Sequence, residues 1–353
     1  MSQKNVLVLF GGASPEHDVS MNSAGAVIGA LGKHNVIPVY ITREGKWLLY
    51  DGKLDNVHRI DWEKYGTTAV LSPDRVNRGL LRIVGDKVKT LPVDVVFPVL
   101  HGQNGEDGTI QGLCQLAEIP FVGSGVTASA IGMDKGITKL IARSLKIPQA
   151  DFLVIDREEL EYDLKGVMRK VRYKPGYPCF VKPVNCGSSV GITKANDRNE
   201  LMGGLAIAAS ISQRVIIEKA VAGREIQLGI LGSGQGVKVS VPGEITYEGD
   251  FYDYEAKYKK ATSKTIAPAK LSEEQVTTLQ KYALDIFRAI GCKGMLRADF
   301  FISEDDKVLF NEVNTIPGFT DISMFAKVWK ASGLQWHNLV DELIMSSIDN
   351  DEE

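Results

Sequence analysis

The stretch Met295–Phe325, MLRADFFISEDDKVLFNEVNTIPGFTDISMF, decides how the chain is read. MLRADFFI is rich in β-formers, SEDD is a polar turn, and KVLFNEVN alternates again, so the pattern predicts a β-hairpin. Side chains along a strand alternate faces, which places Arg297 and Asp299 on one face, and Glu312 and Asn314 on the matching face. A hairpin closing about SEDD sets Asp299 opposite Glu312 and Arg297 opposite Asn314. Two carboxylates directly across a ladder repel, and burying them unpaired costs more still. A divalent cation between them removes the conflict: Asp and Glu carboxylates and an Asn carbonyl are hard oxygen ligands suited to Mg²⁺. The competing reading is the solvated face of a surface hairpin. The apolar flanks and the Gly/Pro-bearing run NTIPGFTDIS favour a metal site.

The 353 residues suffice for two or three domains, and 44% hydrophobic with 24% charged residues is a soluble, globular composition. A net charge of -3 provides no basic field for nucleic acid or an anionic membrane. The four cysteines form no CxxC pair, which leaves metal-finger and disulfide-framework readings weak and fits a reducing cytoplasm. MSQKNVLVLFGG reads as a first strand, not a signal peptide or membrane span. The acidic tail Asp349 to Glu353 is expected to fray.

Working outward, Asn5 to Phe10 (NVLVLF) is a continuous apolar run typical of a buried parallel strand. Gly11 and Gly12 turn the chain, Ser14 is placed to cap a helix with Pro15 at its first position, and Val36 to Ile41 is the next strand. Such a βαβ unit places ligands at the carboxyl ends of its strands. Glu16 falls at the positive end of this helix, where it serves either a ligand or simply the helix dipole. Val93 to Leu100 is a strand ending at His101, beside a loop with Glu106 and Asp107; a histidine there either touches a ligand or packs. Gly123, Gly125 and Ala128 match G-x-G-x-x-A, but the acid ending the next strand, Asp156, lies too far on for a dinucleotide site.

CFVKP (Cys179 to Pro183), NCGSSVG (Asn185 to Gly191) and the returning strand from Ile192 form a strand–loop–strand phosphate clamp. In it Gly187 and Gly191 permit close approach, Ser188 and Ser189 donate, and Lys182 supplies charge. It is not a Walker A loop. Asn196 to Ser212 reads as a helix with Asp197 and Glu200 in capping-box spacing. Glu218 ends the strand VIIE, and Glu225 opens a strand able to meet adenine and ribose. Thr246 to Ala267 is an unpatterned run with the character of a lid, in which Lys257 and Tyr258 would close over phosphates. Helices are expected near Ser272 to Ile290, Asp321 to Ala331 and Trp336 to Ser346.

Lys135, Lys182, the GSSVG loop, Glu218, Glu225, Arg297, Asp299, Glu312 and Asn314 follow the order of the ATP-grasp ligases. With GGASPEHDVS, HGQNGEDGTIQG, FYDYEAKY and NEVNTIPGFT, the chain resembles the D-alanine–D-alanine ligase family over nearly its full length. The resemblance implies an α/β, three-domain ATP-grasp architecture. Residues 1–126 would form a Rossmann-like domain with a parallel sheet, and 127–218 and 219–353 two α+β domains gripping ATP, with a lid at about 246–267.

The resemblance further implies ligation of two D-alanines through an acyl phosphate for peptidoglycan precursor synthesis. Asp299, Glu312 and Asn314 would hold two Mg²⁺ ions, with Mn²⁺ as a substitute. Lys135, Lys182 and Lys257 would contact phosphates, with Ser188, Ser189, Glu218 and Glu225 also at the nucleotide and Glu225 on the ribose. Arg297 and the Gly318 N–H would stabilise the oxyanion, and Glu16 would hold the first D-alanine's ammonium with His101 nearby. Ser188, Tyr258 and Glu16 would close the lid, and Ser323 and Met324 would receive the second D-alanine's carboxylate. Tyr258 within DYEAKY goes with D-alanine over D-lactate as second substrate, whereas D-serine stays an alternative. A cytoplasmic homodimer, with no nucleic-acid or membrane partner, is implied as well. Two departures stand out: Pro15, where the family often has a small residue, and Cys186 inside the phosphate loop. The rivals are another ATP-grasp ligase, a nicotinamide-dependent oxidoreductase using the Gly123 loop, and a degenerate ATP-binding regulator.

Overall fold

The computed structural model describes residues 3–54, 56–246, 264–320 and 322–349. The chain begins with β1 (Asn5–Gly11), α1 (His17–Ala30), β2 (Asn35–Ile41), β3 (Trp47–Leu49), α2 (Trp62–Tyr65), β4 (Thr67–Leu71), β5 (Gly79–Val84), β6 (Lys87–Pro92) and β7 (Val95–Val99). These strands form one sheet in the order β6-β5-β4-β3-β2-β1-β7. Only β2-β1-β7 is parallel; β3 to β6 extend it as an antiparallel meander, so the sheet is mixed where the sequence suggested a parallel one. The apolar run of β1 is buried on both faces. Val6, Val8 and Phe10 enter the core that holds α1, while Leu7 and Leu9 enter the core on the other side.

The helix after β1 starts at His17, not beside Ser14. Ser14 instead closes the preceding turn, its Oγ accepting from Glu16 N–H at 3.1 Å. Gly11 has φ +88°, and a Cβ there would lie 2.3 Å from the Ile41 carbonyl oxygen, so the tight exit from β1 requires glycine.

Next come α3 (Thr109–Leu116), α4 (Val126–Met133), α5 (Lys135–Ser144), β8 (Phe152–Asp156), α6 (Arg157–Tyr173), β9 (Cys179–Pro183), β10 (Thr193–Ala195), α7 (Arg198–Ile211) and β11 (Arg214–Lys219). Here the sheet is antiparallel, ordered β10-β9-β11-β8. Asp197 caps α7 through the Asn199 and Glu200 N–H groups. Glu200 returns to the Asn196 N–H rather than to that of Asp197, so the expected capping box is shifted by one residue.

The third sheet contains β12 (Gly223–Gly232), β13 (Lys238–Val239), β14 (Gly243–Thr246), β15 (Lys264–Ile266), β16 (Gly294–Ser303) and β17 (Val308–Asn314). Its path is β15-β14-β12-β16-β17, with β13 on β12. Helix α8 (Glu273–Ala289) has a complete capping box from Ser272 and Gln275. Alternate residues of β16, Leu296, Ala298, Phe300 and Ile302, pack with Leu279, Ala283, Ile286 and Phe287 of α8, leaving Arg297 and Asp299 on the opposite face. Helices α9 (Met324–Ala331) and α10 (Trp336–Asp349) fold back so that Phe325, Trp329, Leu339 and Leu343 share a core with α1 and β1. This return sets the segment between β17 and α9 beside Glu16 and His101.

Candidate active site

In the β16–β17 hairpin Arg297 pairs with Asn314 and Asp299 with Glu312. Nearer the turn the register is Phe300 with Phe310, so a β-bulge between Asp299 and Phe300 adds one residue, Asn311, to β17. Without the bulge, Asp299 would face Asn311; the pairing inferred from sequence depends on it.

The like-charge conflict is relieved by cations. Arg297 Nε and an Nη each donate to an Asp299 oxygen at 2.8 Å, a bidentate fork, and buried Gln227 donates to Asp299 Oδ2 at 3.1 Å. Glu312 lies 3.5 Å from Lys135 Nζ, which also donates to the Cys186 carbonyl at 2.7 Å. Asn314 Oδ1 accepts from the Ile316 N–H at 2.9 Å. Among the described residues no three His, Cys, Asp or Glu side chains gather as a metal cluster. The donor chemistry of two carboxylates and one amide carbonyl nevertheless suits a hard cation.

The loop between β9 and β10 carries Ser188 and Ser189 in left-handed backbone, φ +46° and +59°, unusual for residues with a Cβ and typical of functional loops. The turn aims Ser188 Oγ at Glu16 Oε1, to which it donates a hydrogen bond. A Cβ on Gly187 would lie 2.8 Å from Glu16 Oε2, and one on Gly102 would lie 2.5 Å from the same oxygen. Two glycines thus flank the carboxylate. His101 is buried, with Nδ1 donating to the Ile316 carbonyl at 3.1 Å and Nε2 3.0 Å from Ser23 Oγ. Burial disfavours the charged ring, but Glu106, 3.5 Å away and also buried, together with Glu16 outweighs it and raises the His101 pKa. Burial raises the Glu106 carboxyl as well.

One cavity of about 750 Å³ unites much of this set. Glu16, His101, Lys135, Ser188, Arg297, Glu312, Asn314, Gly318, Ser323 and Met324 all line it. Ser323 caps α9, accepting from the Ala326 N–H at 3.4 Å, so the cavity ends on a helix N-terminus suited to a carboxylate. Lys182 and Glu218 form a separate buried cluster, 2.6 Å apart, in which Lys139 is 2.7 Å from the other Glu218 oxygen. Burial would raise the Glu218 carboxyl, but the two ammoniums outweigh it and hold it at about 2. Burial would lower Lys182, yet Glu218, Glu312 and Glu225 outweigh that and raise it, so this cluster borders the hairpin carboxylates. Ser189 and Glu225 are half-buried and do not line the cavity, while Glu225 acts on Lys182 of the buried cluster. Lys257 and Tyr258 lie outside the described residues.

Sequence reasoning missed Lys139, Gln227 and Ser23. Lys139 carried a signal, since it follows Lys135 by four residues and so shares its helix face; the other two carried none. The fingerprint glycines Gly123 and Gly125 precede α4, but Gly123 packs against Gly294 backbone, where a Cβ on Gly294 would lie 3.0 Å away.

Two family models, D-ala D-ala ligase N-terminus and C-terminus, match residues 5–124 and 141–345. The chain belongs to the D-alanine–D-alanine ligase family. It is 46% identical to a D-alanine–D-alanine ligase of Acetivibrio thermocellus, covering 97% of this chain and 95% of that one. With the ligase of Caldicellulosiruptor bescii it shares 44% identity over 99% and 96% of the two chains. Among solved structures, the VanG D-Ala:D-Ser ligase of Enterococcus faecalis superposes with TM-score 0.88 at 36% identity, covering 98% of this chain and 100% of that one. The D-alanine–D-alanine ligase of Coxiella burnetii gives TM-score 0.83 at 32% identity, with 99% and 96% covered. Among the described residues no helix is long and apolar enough to cross a membrane.

Proposed function

We propose that the chain joins two D-alanines to D-alanyl-D-alanine at the expense of ATP, for peptidoglycan precursor synthesis. The observation that carries this reading is the single cavity that brings the Glu16 carboxylate, the Arg297 guanidinium and the N-terminus of α9 together. In this reading the ammonium of the first D-alanine sits on Glu16. Its carboxylate oxygen attacks the γ-phosphorus of ATP, the bond to the bridging oxygen breaks, and ADP leaves an acyl phosphate. The amine of the second D-alanine, with its carboxylate at Ser323 and Met324, attacks the acyl carbon and gives up a proton. Arg297 and the Gly318 N–H receive the oxyanion, the C–O bond breaks, and phosphate departs. Lys135 and Lys182, with Ser188 and Ser189, bind phosphates; Glu218 and Glu225 serve the adenosine end. Asp299, Glu312 and Asn314 would hold Mg²⁺, which when bound neutralises phosphate charge.

Domain bounds of 1–126, 127–218 and 219–353, a lid over 246–267 bearing Lys257 and Tyr258, a homodimer and a cytoplasmic location belong to the same proposal and rest on the family. A second reading, D-serine as second substrate, is favoured by the likeness to the D-Ala:D-Ser ligase. The test is ADP release with ATP, Mg²⁺ and D-alanine alone, then with D-serine or D-lactate added, with products identified by mass. D-alanine-dependent turnover to the dipeptide supports the first reading. Mixed product in excess with D-serine supports the second, and turnover with neither refutes both.

A further inference from the structure

Lys139 belongs to none of the roles assigned above, yet its side chain is only 2% exposed. Burying an ammonium is costly unless it is well paired, and an apolar residue of similar length would ordinarily be as stable or more so. Its position gives it a partner. Lys139 lies one helical turn beyond Lys135 on α5, so both ammoniums leave the same face. Lys135 reaches the phosphate loop and Glu312; Lys139 reaches Glu218 at 2.7 Å and lies over the rings of Phe152 on β8 and Phe310 on β17. Lys139 therefore stands at the seam between the four-stranded and six-stranded sheets, where the Phe310 N–H of β17 also donates to the Pro148 carbonyl in the segment between α5 and β8.

Glu218 divides its two oxygens between two lysines, Oε1 to Lys139 and Oε2 to Lys182. Glu218 alone thus meets two ammoniums and fully neutralises neither, while Glu312 and Glu225 act on Lys182 from farther off. If Lys139 were absent, Glu218 and Lys182 would form a closed neutral pair. Lys182 would then have to leave a fully committed carboxylate to meet a phosphate.

We propose that Lys139 is a positioning residue for nucleotide binding, sharing Glu218 so that Lys182 is only partly committed to that carboxylate and can meet the phosphates of ATP. The inference rests on the ATP-grasp reading of this cleft. The test measures the ATP dissociation constant and the KM for D-alanine in the full-length protein and in Lys139→Met, Lys139→Gln and Lys139→Arg. Lys139→Met is expected to weaken ATP binding by about tenfold or more, the equivalent of ~1.4 kcal/mol, with the D-alanine KM nearly unchanged. Lys139→Arg, which keeps the charge, should recover most of the affinity, and Lys139→Gln serves if the methionine variant does not fold. ATP affinity within about twofold of wild type in both uncharged variants would overturn the inference and leave the cleft assignment standing. Equal loss for ATP and D-alanine, unrescued by arginine, would overturn it in favour of a packing role. A wild-type protein that binds no ATP would instead sink the cleft assignment itself, and this inference with it.

Discussion

Gly187→Ala should damage catalysis far more than stability. An added Cβ would sit 2.8 Å from Glu16 Oε2 and 3.3 Å from Glu16 Cδ. Ordinary contact begins near 3.4 Å, so one side must move by about 0.6 Å. The end of a free glutamate would swing away at little cost, but Glu16 has little freedom. It is 8% exposed, its other oxygen accepts from Ser188, and Gly102 stands close behind Oε2. Gly187 itself has no positive φ, so alanine introduces no backbone strain there. The displacement therefore falls on the carboxylate proposed to hold the first substrate's ammonium and aim its carboxylate. A shift on this scale is expected to lower kcat/KM for D-alanine roughly 10- to 100-fold, with a change in unfolding free energy of about 1 kcal/mol or less. Steady-state kinetics at saturating ATP, alongside thermal unfolding, check both. The reasoning fails if kcat/KM stays within about twofold of wild type. It fails equally if stability falls in step with activity, because then the loop and not Glu16 has absorbed the clash.

Arg297→Ala removes both fork donors from Asp299 and the proposed oxyanion donor, so kcat should fall on the order of 10²- to 10³-fold, as single-turnover kinetics would reveal. Glu218 is held at about 2 in the folded chain. A carboxyl depressed on folding stabilises the protein above its unfolded pKa and loses that contribution as pH falls through the folded value. The stability difference between wild type and Glu218→Gln should therefore be full above roughly pH 4.3 and shrink as the pH falls toward about 2. Denaturant titrations at several pH values measure this, and a pH-independent difference would refute it. Burial raises the Cys186 thiol despite Lys135 nearby, so iodoacetamide should modify it slowly at neutral pH and more slowly with ATP present; a failure of ATP to protect, followed by peptide mass spectrometry, would exclude the loop from the nucleotide site.

What the sequence conveyed well was whatever is settled within one element. The unbroken apolar run of β1 announced burial on both faces, and alternation along β16 separated Leu296 and Ala298 from Arg297 and Asp299, because period two is a local property. Hairpin-like pieces were legible at Trp47 to Tyr50 and Leu80 to Lys89, but their joining through β4 into the sheet of β1 escaped, since strand order is not a local property, and so did the start of α1, since a serine before a proline fits an N-cap and a turn alike. The charges were least legible. Two carboxylates facing across a ladder imply a counter-charge, but not which one. In the structure Arg297 answers Asp299 from two residues away, and Lys135 answers Glu312 from a helix remote in sequence. Even the facing of Asp299 and Glu312 requires the bulge at Asn311, which no residue there announces. Lys139 has the same origin. Its i to i+4 relation to Lys135 is local, but Glu218, its reason for being buried, is supplied only when β11 packs beside α5. A buried charge is thus where a sequence reading should expect to be incomplete. The cost of the burial is evident from the residue alone, while the group that offsets it comes from another element, and finding that partner is what turned Lys139 from an anomaly into a candidate for function.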